Sequence, residues 1–489
     1  MICVVIKGPS FEEAIQQIKE ASEDASLVEL RLDYFFSLDG TALKKLKALF
    51  SIPMIFTLRS FSEGGEYKGS EEDRFLDIDK LGEVNPDYFD LESHVSSSFI
   101  QAFSIKYPQI KLIISYHNFV ETPLDLEGIY QRMKQIPAFF YKMAVTAQNS
   151  LEVLTLLQFA IKSDPKLIAI SMGSFGEISR ILGPVIGNAI TYASLNEEQK
   201  VAPGQLSAKT LVERYHYPFL GAHTSIYGLI GDPVSLSISD ETHNHLIASF
   251  DLEAVYVKMQ VKETELASFL TIAKTLPFKG LSVTMPLKEA ILCSLDEVDP
   301  QAVEIGAVNT LLFQEGKILG FNTDGIGALN AIEKKSSVKG KKIVIVGAGG
   351  SAKAIAYEAM SRGGLVTILN RDEQRAAKIA EPLGCFAGGL DQIPKVALEG
   401  YDILINCTPV CFPIDFQHIL PNAIFMDIKT KPKETEFLKQ AQQKGGSIVY
   451  GYEMFTQQAA QQFALWFEEL ISKKQCEMVL ESKSVECFR

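Results

Sequence analysis

Residues 139–145 read Phe-Phe-Tyr-Lys-Met-Ala-Val, an apolar run interrupted by one charge, Lys142. So short and apolar a run predicts a strand buried on both faces. Similar runs lie on either side of it: ICVVI from residue 2, LVELRLD from 27, MIFTLRS from 54, YFDLES from 88, KLIISYHN from 111, LIAISMG from 167 and ITYASL from 190. Segments of helical period separate them, among them FEEAIQQIKEA, TALKKLKALF, LEGIYQRMKQI and SLEVLTLLQFAIK. Alternating apolar strands and amphipathic helices imply parallel strands joined by crossover helices. Eight such units over residues 1–215 match a (β/α)8 TIM barrel in number and size. An open doubly wound sheet is the competing arrangement, and the even spacing favours closure.

With 489 residues the chain exceeds what one hydrophobic core organises. Hydrophobic residues at 47% and charged residues at 22% are ordinary for a globular α/β protein. A net charge of -13 argues against nucleic-acid binding, which needs clustered lysine and arginine. No apolar run reaches the ~20 residues of a membrane span and no signal peptide is visible, so a cytoplasmic location is expected. Seven cysteines without paired spacing suggest reduced thiols, with neither a disulfide framework nor a metal site. His243 and His245 flank Asn244 without a carboxylate or cysteine at ligand spacing, and suit a helix start or the surface.

A barrel performs its chemistry at the C-terminal ends of its strands, and polar residues gather there. They are Glu29, Arg31 and Asp33 after the second strand, Arg59 and Glu63 after the third, Glu92 after the fourth, His117 on the fifth and Lys142 on the sixth. Singly, each reads as a charged strand end; together they mark a site. Burial disfavours the ammonium form of a lysine and favours a neutral amine that attacks a ketone to give an imine. Imidazole is the natural proton shuttle beside it. Arg31, Arg59 and Arg180 offer bidentate donors for a substrate carboxylate. Taken alone, Lys142 could also be a snorkelling or ion-paired lysine.

The strings ELRLD, TLRSFSEGGE, SYHNF, YKMAV, SMGSFGEISR and APGQ resemble those of type I 3-dehydroquinate dehydratases, in the same order, over residues 1 to about 210. The resemblance implies that Lys142 forms an imine with 3-dehydroquinate, that His117 shuttles the protons, and that Glu63 orients His117. It makes Glu29, Arg31, Arg59, Arg180 and Gln205 substrate binders. Val201 stands where serine or threonine is common, which bears on the lid over the site.

Residues 216–226 read as a linker, with a new strand near Tyr227. An α/β unit follows over 227–330. Residues 331–450 then carry KKIVIVGAGGSAKAIAYEAMSRGG, a strand, a glycine turn and a helix. The turn Gly347-Ala348-Gly349-Gly350 lets backbone approach a pyrophosphate at a helix N-terminus, as in a Rossmann-like dinucleotide domain. The next strand ends in Asn370-Arg371 rather than an acid, and Arg371 and Arg375 suit a 2′-phosphate, so NADP(H) is the expected cofactor. Lys288 and Asp324, on strand-following loops, are the candidate acid–base pair; a structural ion pair is the alternative. Residues 451–489 form a returning helix and a polar tail, with Trp466 packing on that helix.

SLSIS, VTMPLK, GAVNT, GFNTDG, GAGG, NRD and GYEMFTQQAA resemble shikimate dehydrogenases over residues 224–470. The resemblance implies Ser237, Ser239, Thr284, Asn309 and Gln458 as binders of substrate hydroxyls and carboxylate, with Lys288 and Asp324 as the acid–base pair. Asp240, Ser282 and Thr430 depart from that family's usual proline, asparagine and tyrosine, which bears on substrate selectivity. The two resemblances imply consecutive reactions, from 3-dehydroquinate to 3-dehydroshikimate and on to shikimate. Quinate as the second half's main substrate, a catalytically silent regulator, and an imine-forming aldolase in the barrel are the alternatives.

Overall fold

The computed structural model describes residues 1–198, 204–467 and 470–487. Val201 lies outside the described residues. The chain divides into two compact units, Met1–Ser225 with Glu253–Val261 and Thr271–Pro277, and Ile226–Leu252 with Lys262–Leu270 and Phe278–Arg489.

The first unit contains β1 (Ile2–Ile6), β2 (Leu27–Arg31), β3 (Met54–Thr57), β4 (Tyr88–Glu92), β5 (Lys111–Asn118), β6 (Phe140–Thr146), β7 (Leu167–Met172) and β8 (Thr191–Ala193). They form one sheet in the order β7-β6-β5-β4-β3-β2-β1-β8, with every pair parallel. The expected barrel is there, though not fully laced. Among the described residues no strand ladder joins β7 to β8, because β8 is only three residues long. Side chains bridge this seam instead: Asn188 accepts from the Ala169 N–H at 3.0 Å and donates to the Ala169 carbonyl at 2.8 Å, as a neighbouring strand would. The Thr191 hydroxyl donates to the Arg180 carbonyl at 3.1 Å.

Helix starts are set locally. Ser10, Ser70, Asn149 and Ser207 accept from backbone N–H groups three residues on, satisfying donors that a first helical turn leaves unpaired. Inside the barrel, Cys3, Leu27, Ile55, Tyr88, Ile113 and Ile168 close the floor. Strand residues two positions further on share the inner face. The alternation therefore stacks Glu29, Thr57, Asp90, Ser115 and Lys142 above an apolar plug.

The second unit contains β9 (Ser225–Gly231), β11 (Phe278–Val283), β12 (Glu297–Val298), β13 (Thr310–Gln314) and β14 (Lys317–Phe321); the strand β10 (Ala254–Gln260) counts with the first unit. Their order runs β9-β11-β13-β14-β12, parallel for β9/β11 and β14/β12 and antiparallel around β13. A second, fully parallel sheet follows, of β15 (Lys342–Val346), β16 (Leu365–Leu369), β17 (Phe386–Gly388), β18 (Ile403–Asn406), β19 (Ile424–Asp427) and β20 (Ser447–Val449), ordered β17-β16-β15-β18-β19-β20. This is the Rossmann-like arrangement, with β15 next to the point where the strand order reverses.

The helix Gly451–Trp466 returns to the first of these sheets. Gln462 donates to the Asn309 carbonyl at 3.0 Å, and the Trp466 indole donates to the Leu311 carbonyl at 2.9 Å. Gly280 makes room for that ring, since a Cβ there would stand 2.3 Å from the indole nitrogen. Trp466 is thus a packing residue, but its helix is not the last; the polar tail folds as a helix, Lys473–Cys487, with Cys476 buried. His243 also departs from expectation. It lies within the helix Ser239–Ser249, fully buried beside the rings of Phe455, Phe463 and Trp466, and not at a helix start or on the surface. No helix among the described residues is long and apolar enough to cross a membrane.

Candidate active sites

In the barrel mouth the Lys142 side chain is 6% exposed. Its ammonium donates to Asp90 at 2.6 Å, stands 3.9 Å from Glu29, and lies 4.7 Å from the centroid of the Tyr192 ring. Two carboxylates and an aromatic face offset the desolvation of this ammonium. Asp90 is itself shared. Arg59 reaches its other oxygen at 2.7 Å, and Ser115 donates to that oxygen at 2.7 Å. Burial alone would raise the Asp90 pKa, but Arg59 and Lys142 outweigh it and hold the carboxyl well below its usual range.

His117 and Glu63 meet as the resemblance implies, with His117 Nδ1 2.8 Å from Glu63 Oε2. Burial first, then the cations Arg59 and Lys142, push the His117 imidazole down to about 4. Glu63 is held at about 2: its burial is overcome by hydrogen bonds from His117 and His94 and by the charge of Arg59. An ionised Glu63 requires the proton on His117 Nδ1, which leaves Nε2 as the free base. The ring stacks on Phe119, with centroids 6.0 Å apart.

The remaining candidates divide. Glu29 accepts from the Thr57 hydroxyl at 2.7 Å, and Gln205 is buried. Arg31 turns its fork onto Asp33 at 2.9 and 2.7 Å, so this guanidinium is already neutralised. Arg180 is the opposite case. It is 4% exposed, its Nη1 donates to the Ser171 and Gly176 carbonyls at 2.6 and 3.0 Å, and its Nε has no partner. It forms no ion pair among the described residues, and burial, opposed by the charge of Glu177, lowers its pKa to about 10. A buried cation without an ion-paired carboxylate suits an incoming anion. Asp90 and Ser115 went unnoticed in the sequence, as did Arg74, fully buried and anchored on Glu92 and Glu71.

In the second unit Lys288 lies on a single helical turn, Leu287–Ala290, and Asp324 opens the helix Asp324–Glu333, so both stand at helix starts rather than in loops. Lys288 donates to Asp324, and Ser351 touches both, 3.0 Å from the lysine nitrogen and 3.0 Å from Asp324 Oδ2. Asn309 donates to the other Asp324 oxygen at 2.7 Å and to the Gln458 side chain at 3.2 Å. The Thr323 hydroxyl completes this cluster, 3.0 Å from Asn309 Nδ2. Ser237 and Ser239 pair with each other at 2.8 Å on the approach to the helix Ser239–Ser249, and Thr284 caps β11 half-buried.

The departures from the family pattern have local readings. Ser282 is buried and donates to Gln462 at 3.0 Å, so it ties the sheet to the returning helix. Asp240 occupies the first turn of a helix, where an acid suits the dipole. Thr430 is half-buried in the loop after β19.

The glycine turn suits a pyrophosphate. Gly347 has φ +119°, a conformation that L side chains rarely adopt, and a Cβ on Gly349 would meet nothing within 4 Å. No side chain caps the helix Gly350–Ser361, leaving its first N–H groups open to an anion beside Ala348. A Cβ on Gly350 would approach Lys288 Cβ to 3.2 Å, which puts Lys288 and its partner Asp324 beside this turn. Past β16, Asp372 is occupied in accepting from the N–H groups of Gln374 and Arg375. Arg371 and Arg375 are exposed, and among the described residues neither forms an ion pair. Asn370 donates to the Asp372 carbonyl at 3.0 Å.

Family models agree with this division. Type I 3-dehydroquinase matches residues 2–221, the shikimate dehydrogenase substrate binding domain matches 229–311, and shikimate/quinate 5-dehydrogenase matches 330–431. The shikimate biosynthesis protein AroDE of Chlamydia pneumoniae is 39% identical over 98% of this chain and 97% of its own length. The chloroplastic bifunctional 3-dehydroquinate dehydratase/shikimate dehydrogenase of Arabidopsis thaliana is 36% identical over 95% of this chain and 82% of its own. The NADP(+) shikimate dehydrogenase of Pyrococcus furiosus is 40% identical over 51% of this chain and 93% of its own. With both halves matched in one relative from end to end, the chain belongs to the family of bifunctional 3-dehydroquinate dehydratase/shikimate dehydrogenases.

Proposed function

We propose that the chain converts 3-dehydroquinate to 3-dehydroshikimate in its barrel and reduces that product to shikimate in its second half. The observation that carries the first step is Lys142, buried beside a histidine whose Nδ1 is fixed by Glu63. Lys142 passes its ammonium proton to His117 Nε2 and attacks the ketone carbon; His117 returns the proton to the carbinolamine hydroxyl, which leaves as water and gives the protonated imine. The Nε2 of His117 removes the proton on the adjacent carbon, and the electrons run into the protonated imine to give a neutral enamine. His117 then returns that proton to the departing hydroxyl, which leaves as water. Hydrolysis frees the enone and restores Lys142. Throughout, Arg59 compensates Asp90, so the lysine can lose its charge without leaving a bare buried carboxylate. Arg180 is the natural receptor for the substrate carboxylate, with Glu29, Arg31, Arg59 and Gln205 around the hydroxyls.

In the second half NADPH, when bound, supplies the hydride. Lys288 donates the proton to the oxygen of the reduced ketone, and Asp324 and Ser351 hold Lys288 in place. Ser237, Ser239, Thr284, Asn309 and Gln458 bind the ring hydroxyls and carboxylate. Gly347, Ala348, Gly349 and Gly350 cradle the pyrophosphate, and Asn370, Arg371 and Arg375 receive the 2′-phosphate, so NADPH is preferred over NADH. The same proposal takes residues 1–215 as the dehydratase, 216–226 as the linker, 227–330 as the substrate subdomain, 331–450 as the cofactor subdomain and 451–489 as the return, all in the cytoplasm.

Supplying 3-dehydroquinate and NADPH to the one chain tests this reading. Shikimate should appear with stoichiometric NADPH loss; accumulation of 3-dehydroshikimate without NADPH consumption would contradict the second half. Oxidation of quinate in preference to shikimate by NADP+ would redirect the substrate assignment.

A further inference from the structure

The Glu63 carboxylate has two oxygens and serves two imidazoles. Oε2 faces His117 Nδ1 at 2.8 Å, and Oε1 faces His94 Nδ1 at 2.9 Å. His94 follows β4 by two residues and its side chain is 47% exposed, whereas those of Glu63 and His117 are 14% and 10% exposed. The three groups form a chain from solvent to the base of the proposed reaction. We propose that His94 is a positioning residue of the dehydratase, which grips the outer oxygen of Glu63 and so fixes the carboxylate that sets the tautomer and orientation of His117. The inference rests on the catalytic reading of Lys142 and His117.

A carboxylate on the three-residue turn Phe61–Glu63 has several side-chain torsions to lose, and one hydrogen bond to His117 leaves its second oxygen free to swing. A second donor at 2.9 Å removes that freedom before substrate arrives. The same contact couples the site to bulk protons. The charged groups acting on His94 are Glu63 itself, Glu92 at the end of β4, and Arg74 from the helix Glu71–Gly82. The hydrogen bond with Glu63 raises the His94 pKa above its ordinary value. When His94 takes a proton it becomes a cation on Glu63, which then draws less strongly on the Nδ1 proton of His117. The base weakens while remaining in place.

The test compares the full-length chain with His94→Ala and His94→Asn, recording dehydratase kcat and KM across pH, with shikimate dehydrogenase activity as a folding control. The alanine variant should lose roughly tenfold in kcat, the scale of one hydrogen bond to a charged group, with KM little changed because His94 touches no substrate. Asparagine keeps a donor near Nδ1 but cannot titrate. It should recover most of the rate on the alkaline side and abolish the inflection that His94 gives the parent profile above pH ~6.5. An alanine variant with the parent's kcat and profile would overturn the proposal, as would an asparagine variant no better than alanine. Borohydride trapping with 3-dehydroquinate separates the two levels. A parent that forms no adduct at Lys142 sinks the catalytic reading and this inference with it; a parent that is trapped, with alanine kinetics identical to it, sinks the inference alone.

Discussion

Each half is organised around a lysine beside an aspartate, and the two pairs are built for different work. Lys142 projects from the middle of a barrel strand, 6% exposed, and its partner Asp90 is held from the far side by Arg59 and Ser115. Lys288 sits on a single helical turn with its side chain 14% exposed, and its partner Asp324 is held by Asn309 and Ser351. The first environment supplies a second cation and a histidine, which suits the proposed imine, where the lysine gives up its charge and bonds to carbon. The second supplies hydroxyl and amide groups, which orient an ammonium without taking over its charge. Neighbours, more than the pair itself, distinguish the proposed nucleophile from the proposed proton donor.

Lys142→Ala puts the greatest strain on this contrast. Dehydratase turnover should fall by roughly 10⁴-fold or more, because no other group forms the imine, while shikimate dehydrogenase activity stays at the parent level. In the other half, Lys288→Ala should lower reductase turnover by about 10²–10⁴-fold and leave the dehydratase untouched, read from NADPH oxidation with 3-dehydroshikimate. Equal loss in both activities from either variant would break the comparison.

How far this was legible follows from where each residue stands. Lys142 stands out as the one charge in FFYKMAV, and the polar strand ends around it, more than the lysine alone, mark the site. Asp90 and Ser115 hide in YFDLES and KLIISYHN, where only the inner-face alternation, fixed by strand register, tells which polar residue points at the lysine. The seam residue Asn188 is invisible for a related reason: ITYASL reads as a strand like the others, and only the structure shortens it to three residues and shows which amide replaces its ladder. Lys288 and Asp324 are legible as polar residues after strands in VTMPLK and NTDG, and the family resemblance points to the same pair. Ser351 carries no sequence signal of its own, and only the fold places its hydroxyl between them. Arg31 and Arg180 read alike in the sequence as bidentate donors, and only their partners distinguish a fork neutralised by Asp33 from one without an ion pair.

That distinction makes the next expected effect. Arg180→Ala should raise the dehydratase KM by roughly 10–100-fold, the scale of charge-assisted hydrogen bonds, with a smaller change in kcat. Arg31→Ala should do less, since Asp33 already takes its fork; the reverse order would mean that the carboxylate binds elsewhere. Ser351→Ala should reduce reductase kcat by several-fold, about 1 kcal/mol for one hydrogen bond, with NADPH affinity retained by fluorescence titration.

The smallest effect concerns acid stability and is shared. Burial holds His117 and His243 neutral, each at about 4, against an ordinary value of 6.5. Below 6.5 the unfolded chain takes up protons that the folded chain refuses. Stability present above that pH is therefore lost progressively as pH falls towards 4. Melting curves between pH 7 and 4 should show a falling midpoint, and His243→Gln should flatten the fall.

The central claim is that Lys142 bonds covalently to substrate. The direct measurement is peptide mass spectrometry of the chain after borohydride reduction in the presence of 3-dehydroquinate. A reduced adduct on the peptide containing Lys142, absent without substrate, is the result expected here. No adduct, or one on a different lysine, would contradict the account.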